Sequence, residues 1–397
     1  MQIFVRSFSI PALSTRRHGR ALRHLLLGVL MAMPAIAFAA DEKPQALPDK
    51  ITIGAISYFD NGKPEFIGAA AIIVEQGWLA AELKKRGIAL QWFPVPAANV
   101  GAALNEGFAN RSIDFAGYGD LPSILLNAGG VETRIIVPSG RGLDTYLVVP
   151  KDSTAQSIED LKGKRVAIHR GRPWEVPFIR LLDSKNLSYS DFRIQNINPV
   201  AGAAALAANS IDGLYTLSDA FLLEDKRVGK IIWSTRAAPA DWKMRAELWG
   251  SKRFVDAYPE LTQLVATAHI KAAYWSAQDR NRDAVIHIAT RSGTPESVVR
   301  RDYDSDPTPW RQRWAPSFDA SVYEHYRHCA AYALDKKLIR KPVDADKLID
   351  ARFVEPALKE LGLQTFWNEP ATADAHAATA DNAATLVDAN KNVGVTP

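Results

Sequence analysis

The sequence predicts an α/β protein of two lobes, each a mainly parallel sheet flanked by helices, and three features carry that prediction. Strand-like and helix-like segments alternate from Ile51 to about Ser234, the pattern of a parallel sheet whose crossovers are helices. A segment near Gly101 is echoed about a hundred residues further on. The region from Pro259 to Leu363 has helical spacing throughout, with Pro342 and Pro356 as punctuation.

A chain of 397 residues, 47% hydrophobic and 23% charged, is long enough for two domain-sized cores. Its single cysteine, Cys329, excludes an intramolecular disulfide and a cysteine-based zinc cluster. At the N-terminus Arg16, Arg17, Arg20 and Arg23 precede an apolar run from Leu25 to Ala37, which ends in Ala37-Phe38-Ala39-Ala40. These are the parts of a secretory signal, and cleavage is expected after Ala39 or Ala40. The run is shorter than the ~20 residues of a spanning helix and is interrupted by Pro34. Residues 1–40 hold those four arginines, Arg6 and no acid, so their removal takes the formal charge from +4 to −1. The basic isoelectric point then belongs to the leader, and bulk charge points to no nucleic-acid partner.

Ile51-Thr52-Ile53-Gly54-Ala55-Ile56 is a short β-branched run; Ala69 to Leu83 then carries apolar residues at helical spacing and stops at Arg86-Gly87. Ala89-Leu90-Gln91-Trp92-Phe93 reads as the next strand, closed by Pro94. In the first echo unit, Gly101-Ala102-Ala103-Leu104 leads through Ser112-Ile113-Asp114 to Gly117-Tyr118-Gly119-Asp120. In the second, Gly202-Ala203-Ala204-Ala205-Leu206 leads through Ser210-Ile211-Asp212 to Tyr215-Thr216-Leu217-Ser218-Asp219. Each is a small-residue helix, a short strand and a loop ending in Asp. Two such units give two lobes whose equivalent loops face each other, at the carboxyl ends of the strands where ligands sit. Beyond Trp367 the composition falls to Ala, Asp, Asn, Thr and Val, and a disordered tail is expected.

Three segments are specific: Ala103-Leu104 to Asp120-Leu121-Pro122; Val148-Val149-Pro150-Lys151-Asp152-Ser153; and Ile158-Glu159-Asp160-Leu161-Lys162-Gly163-Lys164-Arg165-Val166-Ala167. On these the chain resembles, from about Lys50 to Leu363, the substrate-binding proteins for aliphatic sulfonates, taurine and nitrate. The resemblance implies a type II periplasmic binding protein fold, with crossings near Asp144-Thr145-Tyr146-Leu147 and Ile232-Trp233-Ser234-Thr235. The expected organisation is a signal peptide at 1–40, lobe one at 41–145, lobe two at 146–233, the rest of lobe one at 234–366 and a tail at 367–397. It implies a monomeric periplasmic receptor serving an ABC permease and its ATPase, with no enzymatic activity and no cofactor. The alternatives are a receptor for an uncharged heterocycle such as a thiamine-precursor pyrimidine, or a periplasmic sensor subunit. Two loops depart from the family. Where sulfonate receptors show a Gly-Ser loop, this chain has Arg170-Gly171-Arg172-Pro173-Trp174-Glu175, and the family's Trp-Asp-Pro reads Leu217-Ser218-Asp219-Ala220.

The candidate ligand is a small organic anion, a sulfonate or sulfate ester, which needs donors rather than a proton acceptor. Helix starts near Gly119-Asp120-Leu121 and Arg172-Pro173-Trp174 supply oriented N–H groups, and Pro173 suits a first helical turn. Arg141, Arg170, Arg172 and Arg236 fall on loops that the fold brings toward the cleft, where guanidinium grips an oxyanion with paired hydrogen bonds; the competing role for each is an ion pair. Tyr58 and Phe59 end the first strand, Tyr118 and Tyr215 lie at the ends of others, and with Trp174 they are candidates for the organic part of the ligand. Trp174 also shares a helical face with Phe178, Leu181 and Leu182, as a core residue would. Ser218 completes the second loop, and Asp120 and Asp219 stand as ligand contacts or as caps of the helices that follow. His325 and His328, three apart, read as a polar helix face rather than a metal pair.

Overall fold

The computed structural model describes residues 46–368; the expected signal peptide and the expected tail after Asn368 lie outside the described residues. Among these residues eleven strands form two sheets. The first contains β1 (Lys50–Asp60), β2 (Lys63–Phe66), β3 (Ala89–Pro96), β4 (Phe115–Gly119), β5 (Thr133–Val137) and β11 (Ala246–Ser251). The second contains β6 (Tyr146–Pro150), β7 (Arg165–Ala167), β8 (Arg193–Gln195), β9 (Gly213–Thr216) and β10 (Gly229–Ser234).

Apart from the short β2 hairpin, the two sheets share one plan. The first runs β3-β1-β4-β11-β5 and the second β8-β7-β9-β6-β10. In each, one strand opposes the rest: β11 is antiparallel to β4 and β5, and β6 is antiparallel to β9 and β10. The reason is geometric. The other strands point their carboxyl ends at the cleft, so a chain crossing from one lobe enters the other sheet from its cleft side and must run against it. Both opposing strands are the first ones after a crossing: the chain passes between the sheets at residues 138–145 and 235–245, so of the expected crossing residues Asp144, Thr145 and Thr235 lie in these segments, whereas Tyr146 and Leu147 belong to β6 and Ile232, Trp233 and Ser234 to β10.

The echo seen in the sequence becomes two superimposable roles. Helix Val100–Ala109, β4 and helix Asp120–Ala128 recur as helix Pro199–Ala207, β9 and helix Asp219–Asp225. Asp114 accepts the Thr52 backbone N–H at 3.0 Å, and Asp212 accepts that of Arg165 at 2.9 Å. The spacing shared by the two copies therefore encodes a side chain that pins the echo strand to its parallel neighbour, closing a backbone group that the ladder leaves open.

Around the first sheet pack Ile51, Ile53, Ile73, Leu79 and the long helix Pro259–Ala277; Trp367 still belongs to this core. The C-terminal helices do not all stay with the first sheet. Helix Glu296–Asp304 places Val298 in a core with Tyr146, Val148 and Phe221, and its Arg301 pairs with Glu224 and Asp225 at 2.6 and 2.7 Å. This differs from the assignment of all of 234–366 to lobe one. The apolar stripe of a short helix says that it docks, and the partner surface is selected only by folding. Helix Ala320–Asp335 lies on helix Asp120–Ala128, with Tyr326 edge-on to Trp249 of β11.

Candidate ligand-binding site

The carboxyl ends of β1, β3 and β4 meet the loop after β7, and two contacts join the lobes there. The Arg172 guanidinium donates through Nη2 to the Ala97 carbonyl at 2.9 Å. Pro173 lies over Gly119, so close that a Cβ on Gly119 would sit 2.3 Å from Pro173 Cγ. Gly119 has φ −79° and ψ 161°, ordinary extended backbone. Here glycine serves close approach between lobes rather than an unusual turn.

Of the four candidate arginines, three are neutralised internally. Arg141 pairs with Asp144 at 3.0 Å and with Asp306. Arg236 pairs with Asp302 at 2.8 Å and Asp144 at 3.4 Å, and lies over the Tyr146 and Phe221 rings. These two corrections share a cause: Asp144 and Asp306 are buried, and buried charge persists only when paired. Lys243 joins the same carboxylate of Asp144, whose acid strength is raised above the ordinary Asp range by Lys243 and Arg141 against the opposing effect of burial. Arg170 pairs with Glu175 at 3.1 Å. Among the described residues, no carboxylate pairs with Arg172. Its Nε is buried with no acceptor among those residues, its guanidinium stands 5.2 Å from the Trp174 ring, and burial makes it a weaker base than usual.

The aromatic candidates divide likewise. Tyr58, half-buried at the end of β1, has its hydroxyl pushed up by burial while the Arg172 guanidinium pulls it down. Phe59 beside it is 56% exposed. Trp174 is buried in the core, as its helical stripe predicts, yet its indole N–H has no acceptor among the described residues. Tyr118 and Tyr215 are corrections. Tyr118 is buried between Phe108 and Trp249 with its hydroxyl bonded to Asn105, and Tyr215 bonds Thr145 at 2.6 Å. Both rings fill the sheet–helix interface, because alternate residues of a doubly covered strand face helices on either side.

Asp120 and Asp219 are likewise held by the protein. Each is the first residue of its helix, with Gly119 and Ser218 in the cap position. Asp120 is fully buried and accepts from His325 Nε2 at 2.7 Å. Asp219 accepts the Thr216 hydroxyl at 2.8 Å and the Leu217 N–H at 3.1 Å, and burial pushes its carboxyl up to about 6. Ser218 remains half-buried in the loop after β9. His325 corrects the reading of a polar face: it is buried, bridging Asp120 to the Asp241 carbonyl at 2.9 Å. His328 is the half-exposed member, bonded to Arg180 at 2.8 Å.

Three residues near the lobe contact carry no sequence signal of their own. Ala97 contributes only its carbonyl. His169, 6.0 Å from Trp174, has its imidazole pushed below the usual range by burial and by the Arg172 guanidinium. Glu175 is buried under the loop. Two surface cavities of about 290 and 310 Å³ lie elsewhere, one beside Phe318, Val354 and Trp367 and the other along Arg327, Leu334 and Val343. Among the described residues no His, Cys, Asp and Glu group is placed to hold a metal ion, and no helix is long and apolar enough to cross a membrane.

Comparison with known proteins agrees with this architecture. The family described as ABC transporter, phosphonate, periplasmic substrate-binding protein matches residues 79–241. The crystal structure of a periplasmic sulfonate-binding protein, SsuA of Methylobacillus flagellatus KT, is 46% identical; the match covers 82% of this chain and 99% of that one, with a TM-score of 0.75. The chain belongs to the ABC-transporter substrate-binding family of the aliphatic sulfonate-, taurine- and nitrate-binding proteins. Within that fold the alkanesulfonate-binding protein SsuA from Xanthomonas axonopodis pv. citri, bound to MOPS, is 22% identical, covering 77% of this chain and 99% of its own, TM-score 0.60. The desulfurization enzyme DSZB shares the fold at 17% identity, covering 79% of this chain and 99% of its own, TM-score 0.58. The family member at hand is thus a substrate-binding component of an ABC importer, and one of its two departures from the family's loops, the Arg172 loop, falls at the lobe contact.

Proposed function

We propose that this receptor works in the periplasm and captures a small, permanently ionised organic anion, a sulfonate or sulfate ester, where the ends of β1 and β3 meet the Arg172 loop. One observation carries the reading: Arg172 is a half-buried cation at the lobe contact with no carboxylate partner among the described residues and an unsatisfied Nε. Beside it the Trp174 indole N–H is also an unused donor. A sulfonate offers acceptor oxygens and no proton, which suits donors alone, and charge-assisted hydrogen bonds of this kind contribute about 1.5–3 kcal/mol each. Tyr58 and Phe59 are at hand for the organic part. The lobes open to admit the anion and close by bringing Ala97 to Arg172 and Gly119 to Pro173; the closed form is what the permease receives.

Binding without chemistry fits the one cysteine. Cys329 is buried in helix Ala320–Asp335 and its thiol is pushed well above the ordinary range by burial, the opposite of an activated thiolate.

Calorimetry and thermal shift with alkanesulfonates, taurine, sulfate esters, nitrate, phosphonates and pyrimidines test the assignment. Micromolar or tighter binding of sulfonates or sulfate esters, lost on Arg172→Ala, is the expected result. Binding of a neutral pyrimidine with no response to any anion would overturn it.

A further inference from the structure

The sequence places two arginines either side of one glycine, Arg170-Gly171-Arg172, and the structure sends them in opposite directions. Arg170 lies over the Tyr189 ring at 4.6 Å and donates to Glu175, inside the second lobe. Arg172 reaches across to Ala97 of the first. Gly171, at φ +72°, makes the reversal between them, a conformation that an L side chain strains to adopt. What holds that turn is Glu175, only 1% exposed.

Glu175 touches the loop from both sides. Its carboxylate accepts the Arg170 Nε–H at 3.1 Å and the Gly171 backbone N–H, and its own backbone N–H donates to the Arg172 carbonyl at 2.9 Å. The residues before and at Arg172 are therefore fixed by one side chain and its peptide. Two further donors complete it: Tyr189 at 2.8 Å from the second lobe, and Tyr332 at 3.3 Å from helix Ala320–Asp335. That helix rests on helix Asp120–Ala128 of the first lobe, so the Tyr332 bond spans the two lobes.

We propose that Glu175 is the positioning residue of the anion loop: it directs Arg172 toward the cleft, and through Tyr332 it senses that the lobes have closed. This rests on the assignment of Arg172 to an anion. Three of its four donors converge on Oε1 and the fourth, the Gly171 N–H, binds Oε2, so the carboxylate is engaged inside the protein, and it cancels the charge of Arg170 while leaving that of Arg172 unspent. The arrangement also explains why a loop with two guanidiniums presents one.

The test separates positioning from simple stabilisation. His169 lies beside Arg172 in the same lobe, and its imidazole is depressed first by burial and then by that guanidinium, so its titration, followed by NMR without any ligand, responds when the guanidinium moves away. Arg172→Ala should move the His169 midpoint up toward 6.5. Glu175→Gln should do the same, and the double variant should move it no further than either single change. Calorimetry with ethanesulfonate and MOPS should give the same pattern: at least a tenfold loss for Glu175→Gln in the Arg172 background, and no further loss once Arg172 is Ala. An unmoved His169 in Glu175→Gln, with affinity losses that add in the double variant, would overturn the proposal and leave Glu175 a fold residue. A His169 shift as expected with no sulfonate binding by the unmodified protein would uphold the positioning role and overturn the anion assignment. If Glu175→Gln does not fold, Tyr189→Phe takes its place in the titration. Tyr332→Phe should weaken sulfonate binding several-fold through faster dissociation and leave His169 unmoved without ligand; unchanged dissociation would remove the closure-sensing part.

Discussion

Gly119→Ala separates lobe closure from folding. The added Cβ would sit 2.3 Å from Pro173 Cγ, against the ~3.8 Å at which carbon atoms rest comfortably. The lobes must therefore part by about 1.5 Å at this point, or the loop must distort. Overpacking of this kind costs about 1–3 kcal/mol, and the cost falls on the closed form alone, so affinity for an anion should drop roughly 5- to 150-fold. The unliganded protein should respond oppositely. Gly119 already has backbone angles open to alanine, and the reduced freedom of the unfolded chain stabilises such a variant by about 0.4–1 kcal/mol. Pro173→Ala deletes Cγ and keeps a Cβ that would lie 3.4 Å away, so the double variant should regain much of the lost affinity. Calorimetry, small-angle scattering with and without ethanesulfonate, and thermal melts make the comparison. Affinity unchanged in Gly119→Ala, or not rescued by Pro173→Ala, would show that the liganded lobes do not meet at this pair.

The arginines should separate by phenotype. Arg172→Ala should lose about 1.5–3 kcal/mol of anion affinity, roughly 10- to 150-fold, with the unliganded melt nearly unchanged; Arg141→Ala leaves the buried Asp144 and Asp306 carboxylates facing each other with less compensation and should cost about 3–5 kcal/mol of stability, read by urea denaturation. His269, in helix Pro259–Ala277 and bonded to the Val265 carbonyl at 2.9 Å, has its imidazole pushed down to about 4 by burial. A depressed histidine favours folding fully above its unfolded value near 6.5 and loses that contribution as pH falls toward 4, so up to about 3 kcal/mol should disappear over this window. Denaturation at pH 7.5 and 4.5 should show the loss in the unmodified protein and a smaller one in His269→Gln; equal losses would remove His269 as a cause. Asp114→Ala and Asp212→Ala should each destabilise by about 1–3 kcal/mol, since each strands a backbone N–H at equivalent positions in the two sheets.

The two-lobed plan was readable because its causes are local. Apolar spacing separates strand from helix, and the echo of Ser112-Ile113-Asp114 in Ser210-Ile211-Asp212 places one hydrogen-bonded corner in each sheet. The segments around Asp120 and Lys162-Gly163 carried the family. Gly119 and Arg172 were also visible as loop residues at strand ends, and both stand at the lobe contact.

What the chain alone could not decide is which charges are free. Arg141, Arg170, Arg172 and Arg236 look alike in sequence, but Arg141 meets Asp306 and Arg236 meets Asp302 from a distant helical region, while Arg170 meets Glu175. Asp120 is claimed by His325, 205 residues away, so a candidate ligand contact and a seemingly solvent-facing histidine become one buried pair. Backbone periodicity is written in neighbouring residues, whereas the fate of a charge depends on what folding brings within about 4 Å of it and on how much water it leaves there. The sequence by itself determined two similar lobes and the loops that face each other; the tertiary structure decided that, of four guanidiniums, Arg172 is the one left without a carboxylate among the described residues.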